Sequence, residues 1–325
     1  MLICRSANPA STPATDPGEN EDIESAAALC KEFEIPYHVF DLCKEYEEIV
    51  LKYFRAEYLA GHTPNPCIVC NRQLKFGFLV DRAKRFGIDF DYFATGHYAR
   101  IVQENGSYHL HKARDRSKDQ SYFLYALPAS DLAHILFPLG ELTKTEVCGI
   151  AGKYGLDVAD QAESQDFIAG GDYSVLFDQA DAKAGDIIDD NGRILGQHKG
   201  LIHYTVGQRK GLGISHPRPL YVLKKDPRNN RLIVTEREGL FAHGLLANEI
   251  NLFVSLAQGK AIRARAKIRQ GQRKLDATVT WENDQQIKVL FDLPGPSVAP
   301  GQSIVLYDGN RVLGGGIIVE PIRND

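Results

Sequence analysis

The sequence predicts an α/β protein in which a parallel-sheet domain is followed by a small β module and an antiparallel β-barrel. Helix-like and strand-like segments alternate from residue 21 to residue 94, as is typical of a parallel sheet covered by helices. Short β-like pieces separated by glycine turns occupy residues 185–234. The last ninety or so residues alternate polar and apolar side chains between turn signals, which favours a closed barrel.

The amino-terminal elements follow from hydrophobic periodicity. Residues 1–20 are rich in Pro, Ser, Thr and Asn and predict an irregular leader, after which a helix is predicted from Glu21. The apolar face of this helix comprises Ile23, Ala26, Ala27 and Cys30. The further predicted elements are a strand at 35–40, helices at 46–60 and 71–86, and a short buried strand at 90–94.

Later elements carry local start and turn signals. Thr143 followed by Glu146 is a capping box, which predicts a helix start. Pro294-Gly295 and Asp308-Gly309 predict turns between barrel strands. Four basic side chains occur at every second position and would share one face of a strand. This face is either a contact for a phosphate backbone or an ordinary solvent-exposed face. The four residues are Arg263, Arg265, Lys267 and Arg269.

Composition limits the classes of protein that the chain can belong to. With 325 residues and 43% hydrophobic residues, the chain can form two or three globular domains. A net charge of -4 argues against a globally basic nucleic-acid binder, although a local basic patch remains compatible with it. Six cysteines, without a secretory signal or a long apolar run, predict a cytoplasmic protein with reduced thiols and no membrane anchor.

The segment Thr63–Arg72 combines a Pro-x-Pro approach with a Cys-x-x-Cys pair, Cys67 and Cys70. This spacing brings two sulfur atoms together and is typical of reactive or metal-ligating cysteines. A buried or incidental pair is the alternative.

Three further segments carry candidate ligand contacts. Thr95-Gly96-His97-Tyr98 follows a predicted strand, at the edge where parallel sheets bind ligands; a tight turn with a hydrogen-bonded histidine is the alternative. Residues 112–118 contain four cations, and residues 208–213 place Arg209 and Lys210 between glycines. Either run fits a nucleic-acid backbone or an ordinary solvated loop.

Nine segments in this order resemble the tRNA-specific 2-thiouridylases, the MnmA/TrmU family, from about Glu21 to Glu320. They are TPNPCIVCNRQLKFG, ATGHYAR, KDQSYFLYAL, FPLGELTK, ESQDF, HKGLIHYTVGQRKGLGI, PLYV, PGQSIVLYDG and LGGGII. The resemblance implies a catalytic domain of the PP-loop ATP-pyrophosphatase type, similar to adenine nucleotide alpha hydrolases, with a central domain and a barrel. It also implies ATP-dependent adenylation of C2–O of the wobble uridine, position 34 of tRNA, followed by replacement of that oxygen by sulfur.

The resemblance assigns expected boundaries and partners. The catalytic domain is expected at 1–134 plus 162–181, the central tRNA-binding domain at 135–161 plus 182–243, and the barrel at 244–325. The implied substrates are ATP with Mg²⁺ and tRNA, and the implied partner is a sulfur-donor protein, either a persulfide carrier or a cysteine desulfurase.

The resemblance also assigns roles to individual residues. Cys70 matches the nucleophilic cysteine, with Asn65, Pro66 and Cys67 facing the target base, and Gly96 matches a glycine of the ATP site. The implied tRNA contacts are His97, Lys118, Asp119, Gln120, Lys267, Ile268 and Gln302.

The sequence departs from the family pattern at two places. The Ser-Gly-Gly-Val-Asp-Ser loop that grips the ATP phosphates does not occur in it, from which we expect weak or absent ATP binding by this chain. This suggests a start assigned too far downstream or a non-catalytic tRNA-binding relative. Ile168 stands where well-known members have the cysteine that receives the persulfide.

Because position 168 has no cysteine, the sulfur chemistry is expected to depend on the Cys-x-x-Cys pair. Cys67 and Cys70 then form either a persulfide and resolving pair or two ligands of an iron–sulfur cluster. An iron–sulfur or redox protein unrelated to RNA is the third interpretation.

Overall fold

The computed structural model describes residues 17–156 and 173–323. It begins with three helices, of which the second and third share an apolar core. They are α1 (Pro17–Glu32), α2 (43–59) and α3 (66–85). In α2, Cys43–Tyr46 and Lys52–Leu59 flank a π-helical Glu47–Leu51; in α3, Pro66–Val69 and Leu79–Arg85 flank a π-helical Cys70–Phe78. Residues 1–16 and 157–172, which include Ile168, lie outside the described ranges.

The core between α2 and α3 follows from the spacing of apolar residues on α2. Tyr46, Val50, Phe54 and Tyr58 recur every fourth residue and are all buried. They pack with Leu74 and the other members of one cluster. The remaining buried members are Leu42, Leu51, Cys70 and Leu176.

One prediction in this region is wrong, and the predicted helices begin earlier in the structure. Residues 35–40 form no strand, and Ile35 and Val39 are 57% and 53% exposed. A strand needs a neighbour to pair its backbone groups, and in the described residues none pairs with this segment. The helix predicted at 71–86 begins earlier, at Pro66, because proline at the first helical position has a suitable φ and needs no amide partner. The first predicted helix also starts earlier, at Pro17.

A short parallel sheet and a hairpin follow α3. The strand β1 (Phe93–Ala94) pairs in parallel with β4 (Ile135–Leu136), which confirms the parallel pairing but gives a shorter strand than predicted. The hairpin of β2 (Ala99–Glu104) and β3 (Ser107–Lys112) turns at Asn105-Gly106. Both turn residues have positive φ, of 50° and 79°, as the tight turns of two-residue hairpins require.

The capping box is confirmed at the helix α4 (Lys144–Lys153). Thr143 Oγ1 accepts from the Glu146 backbone nitrogen over 3.2 Å, and Glu146 Oε2 accepts from the Thr143 nitrogen over 2.7 Å. The turns of 3₁₀ helix in the described chain are Ser121–Leu124, Ala129–His134, Tyr173–Leu176, Gln179–Asp181, Leu201–His203 and Arg237–Leu240.

The predicted central β module is a four-stranded sheet in the order β6-β5-β8-β7. Its strands are β5 (Gly185–Ile188), β6 (Ile194–His198), β7 (Tyr221–Asp226) and β8 (Arg231–Thr235). Strand β5 is parallel to β8, and the other neighbours are antiparallel. A separate apolar cluster that includes Ile187, Val222 and Leu232 forms its core.

Six strands of the described chain close the predicted antiparallel barrel, since β13 pairs with both β10 and β14. The strands are β9 (Phe241–Leu252), β10 (Ala261–Lys267), β11 (Leu275–Asn283), β12 (Gln286–Pro296), β13 (Ser303–Asp308) and β14 (Arg311–Ile322). The β2–β3 hairpin extends this sheet, because His111 pairs with Arg311 of β14. The amino-terminal part and the barrel thus share one β-sheet.

The turn at Asp308-Gly309 is confirmed, whereas the one at Pro294-Gly295 is wrong. Pro294 and Gly295 lie inside β12, next to a break in its register with β9. Bulges of this kind tolerate residues that would weaken a regular strand. No helix within 17–156 or 173–323 has the length and apolar character to cross a membrane.

Candidate functional site

The cysteine pair lies near the start of α3, with Cys67 in the first turn and Cys70 at the beginning of the π-helical stretch. Pro66 is the first helical residue, and Asn65 before it is extended, with φ of -114° and ψ of 94°. The Ile68 nitrogen donates to the Asn65 carbonyl oxygen over 3.3 Å. Cys67 and Cys70 are three positions apart, so one helix face carries both. Cys67 is half-buried, and Cys70 is 8% exposed within the α2–α3 core.

The barrel holds the segment that leads into this pair. The Thr63 nitrogen donates to the Pro300 carbonyl oxygen over 2.8 Å, and Gln302 Nε2 donates to the Thr63 carbonyl oxygen over 2.9 Å. Gln302 is buried, at 9% exposure. In this structure, the side-chain amide of Gln302 therefore positions the cysteine segment.

The central module holds the same segment through Lys225, which the sequence analysis missed. Lys225 Nζ donates to the His62 carbonyl oxygen over 2.8 Å and lies 4.5 Å from the centre of the Tyr58 ring. Burial lowers the pKa of Lys225 to about 8. A β-bulge between Val222 and Lys224 shifts the alternation of β7, so the sequence pattern does not reveal that Lys225 points inward.

The expected ATP contact lies at the end of β1. Gly96 is exposed, and a Cβ there would lie in ordinary van der Waals contact with Leu139 Cδ1 at 3.7 Å. Its neighbour His97 has Nδ1 2.8 Å from Thr95 Oγ1. Burial, with a smaller contribution from Lys75, lowers the pKa of His97 to about 4. The imidazole is therefore neutral at pH 7, which fits a hydrogen bond rather than a charge contact with RNA.

The Lys118–Gln120 segment is fixed by its middle residue. Asp119 is buried, and its carboxylate accepts from the Ala113 nitrogen at 3.1 Å and from the nitrogen and hydroxyl of Ser121 at 3.3 and 3.1 Å. Gln120 Oε1 accepts from the Tyr98 nitrogen over 2.9 Å. The Asp119 carboxylate thus organises the loop, while the half-buried Lys118 and Gln120 retain surface that a ligand can reach.

The barrel residues Lys267 and Ile268 are both buried, at 9% and 3% exposure. Ile268 belongs to the barrel core. Lys267 Nζ donates to Gln270 Oε1 over 2.9 Å and lies 5.7 Å from the centre of the Tyr122 ring. The predicted basic face is not continuous, because Arg263 pairs with Asp292 at 2.5 Å. Arg265 of the same strand pairs with Asp276 at 3.4 Å.

The described residues supply no complete ligand set for an iron–sulfur cluster. A cluster would need at least a third protein ligand besides Cys67 and Cys70. Within the described ranges, no group of three or more His, Cys, Asp or Glu side chains is placed to hold a metal ion.

Three protein-family models match consecutive parts of the chain. The tRNA methyl transferase HUP domain matches residues 3–169, the tRNA methyl transferase PRC-barrel domain residues 174–236, and the Aminomethyltransferase beta-barrel domain residues 242–318. The chain is thus a three-domain protein of HUP, PRC-barrel and β-barrel type.

Whole proteins of known name are similar along nearly all of the chain. The tRNA-specific 2-thiouridylase MnmA of Endomicrobium trichonymphae is 44% identical over 93% of this chain and 84% of its own length. The tRNA-specific 2-thiouridylase MnmA 1 of Syntrophus aciditrophicus is 44% identical over 93% of this chain and 81% of its own length. The MnmA of Moorella thermoacetica is 43% identical over 95% of this chain and 89% of its own length. The chain belongs to the tRNA-specific 2-thiouridylase family.

Proposed function

We propose that this protein is a tRNA sulfurtransferase that uses ATP to replace the C2 oxygen of uridine 34 by sulfur. The observation that carries the proposal is the cysteine pair near the start of α3, held by the barrel and the central module, in a chain 44% identical to a tRNA-specific 2-thiouridylase over 93% of its length. The reaction belongs to the cytoplasm, since its substrate is tRNA.

The first step activates the uridine. The C2 oxygen attacks the α-phosphorus of ATP, a new oxygen–phosphorus bond forms, and pyrophosphate leaves with its electron pair, neutralised by Mg²⁺. AMP on the oxygen is a far better leaving group than hydroxide. The exposure of Gly96 at the end of β1 supports nucleotide binding there, because a ligand can approach the backbone of an exposed glycine closely.

The second step transfers sulfur through Cys67 and Cys70. A persulfide carrier or cysteine desulfurase loads one sulfur onto Cys67, which is the more accessible of the two. The terminal sulfur attacks C2 and AMP leaves. The Cys70 thiolate then attacks the Cys67 sulfur, the bond to the transferred sulfur breaks, and its electrons stay with 2-thiouridine. A Cys67–Cys70 disulfide remains, which a dithiol reductant reopens.

The position of the pair supports this chemistry. The amino-terminal end of a helix favours negative charge, and the thiolate is the nucleophilic form of cysteine. Asn65 and Pro66 precede the pair directly and are proposed to face the target base. The proposed direct tRNA contacts are Lys118, Gln120 and Lys267. Three buried residues would act through the backbone that they position: Asp119, Gln302 and Ile268. His97 would contact tRNA through a hydrogen bond of its neutral imidazole.

Nucleoside analysis tests the proposal. The protein is incubated with tRNA, ATP, Mg²⁺ and a persulfide-loaded donor protein, and 2-thiouridine is measured by mass spectrometry after digestion. We expect ATP-dependent product that Cys70→Ala abolishes and Cys148→Ala preserves. The reaction should need a high ATP concentration, because the sequence lacks the loop that grips the ATP phosphates. Binding of tRNA without any product would overturn the proposal and favour a non-catalytic tRNA-binding protein.

A further inference from the structure

Three lysines converge at one end of the barrel, beside the loop that carries the predicted tRNA contacts. Lys112 ends β3, Lys267 ends β10, and Lys274 directly precedes β11. Lys112 and Lys267 are only 7% and 9% exposed, and Lys274 is half-buried. Lysine is almost never buried unless its charge is compensated.

The amino groups of these lysines are close together. The Nζ atoms of Lys112 and Lys274 lie 4.7 and 4.0 Å from the centre of the same Tyr307 ring. Lys112 also donates to the Gly309 carbonyl oxygen. The face of an aromatic ring attracts one cation, but two ammonium groups on the same ring repel each other.

Nearby negative charge does not balance the cluster. Of the described residues, Asp119 is the carboxylate whose charge acts on these lysines. Arg116 adds positive charge near Lys112, whereas the charge of Arg265 is paired with Asp276. The Asp119 oxygens already accept the three hydrogen bonds within the loop. Burial, and after it the contact with Lys112, lower the pKa of Lys274 to about 7.

We propose that Lys112, Lys267 and Lys274 bind one phosphate group of the tRNA backbone between the 112–121 loop and the barrel. The inference rests on the proposed function and identifies a specific contact of the same substrate. A phosphate offers several acceptor oxygens around one centre, which matches converging ammonium donors. Gln270, between Lys267 and Lys274, donates to the Asp119 carbonyl oxygen over 2.7 Å, so the site adjoins Lys118–Gln120.

The salt dependence of tRNA binding tests the site with Lys274→Gln. The matched control is Lys260→Gln, an exposed lysine at the opposite end of β10. Loss of one phosphate contact should reduce the slope of log affinity against log salt by about one unit. We expect this reduction for Lys274→Gln and the parent slope for Lys260→Gln. An unchanged slope and affinity for Lys274→Gln would overturn the proposal.

A second measurement uses inorganic phosphate and does not depend on tRNA. Thermal unfolding is compared in potassium phosphate and in potassium chloride of equal ionic strength. Phosphate should raise the Tm of the parent and of Lys260→Gln but not of Lys274→Gln, because an anion that binds the folded state stabilises it. Equal phosphate effects on all three proteins would overturn the site. If phosphate raises the Tm as expected but the parent protein does not bind tRNA, the proposed function is wrong, whereas the three lysines still form an anion-binding site.

Discussion

Gln302 of the barrel donates a hydrogen bond from Nε2 to the Thr63 carbonyl oxygen over 2.9 Å, 239 residues away along the chain. The backbone strengthens this junction, because the Thr63 nitrogen donates to the Pro300 carbonyl oxygen over 2.8 Å. Four residues after Thr63 stands Cys67, so the place of the first cysteine relative to the barrel depends on this contact.

Gln302→Ala is expected to destabilise the fold by about 1–3 kcal/mol, because it leaves a buried carbonyl oxygen without its donor. Denaturant unfolding measures this change in free energy. Gln285→Ala, at an exposed site between β11 and β12, is the control and should stay within about 0.5 kcal/mol of the parent. If the two variants unfold at the same denaturant concentration, the Gln302–Thr63 bond does not stabilise the junction.

Cys70→Ala and Cys67→Ala are both expected to abolish or nearly abolish thiolation, because the pair must carry and resolve one persulfide. The readout is 2-thiouridine in tRNA, with Cys148→Ala as the control. Normal tRNA binding by both variants would show that the loss is chemical. Full activity of Cys67→Ala would mean that Cys70 acts alone on sulfur brought by a partner.

The buried Lys225 should make stability depend on pH above neutrality. The pKa of Lys225 is about 8 in the folded state and about 10.5 in the unfolded state. Below pH 8 both states hold the proton. Between pH 8 and 10.5 the unfolded state binds more protons, so this group makes stability rise with pH, by at most about 1.4 kcal/mol per pH unit.

The matched variants Lys225→Met and Lys224→Met isolate this contribution. Urea unfolding from pH 7.5 to 9.5 should show a smaller rise of stability with pH for Lys225→Met than for the parent. Lys224 is exposed on the same strand, so Lys224→Met should keep the parent slope. Parallel curves for all three proteins would contradict a lowered pKa at Lys225.

Binding of tRNA should take up a proton at Lys274. Burial first, and then the charges of Lys112 and Lys267, lower the pKa of Lys274 to about 7, while Asp119 acts in the opposite direction. A bound phosphate raises this pKa, so tRNA affinity should fall as pH rises above 7, with a slope of up to about one log unit per pH unit. Titrations at constant ionic strength should show this fall in the parent and in Lys260→Gln. They should show a weaker fall in Lys274→Gln, and identical pH profiles would refute proton uptake at this lysine.

Lys118→Gln is expected to weaken tRNA binding and to reduce the salt slope by about one unit. The loop should remain intact, because Asp119 rather than Lys118 holds it through the Ala113 and Ser121 nitrogens. Binding titrations at several salt concentrations give the slope. A slope equal to the parent's would place Lys118 outside the RNA contact.

The sequence by itself determined the features that depend on local order and spacing. The capping box at Thr143 and Glu146, the turn at Asp308-Gly309 and the alternation that closes the barrel are all present. The fold class and the family followed from motifs such as the Cys-x-x-Cys segment. Such features involve residues near one another along the chain, so their pattern is visible in the sequence.

Tertiary structure alone decided which side chains the folded chain buries and what they hold. Residues 35–40 have strand-like side chains but form no strand, because a strand exists only with a paired neighbour. Gln302 and Asp119 resemble surface contacts in the sequence, and the fold turns both toward backbone groups. Lys225 and the lysines around Tyr307 acquire their lowered pKa values where separate parts of the chain meet, since burial penalises charge only once distant segments have packed together.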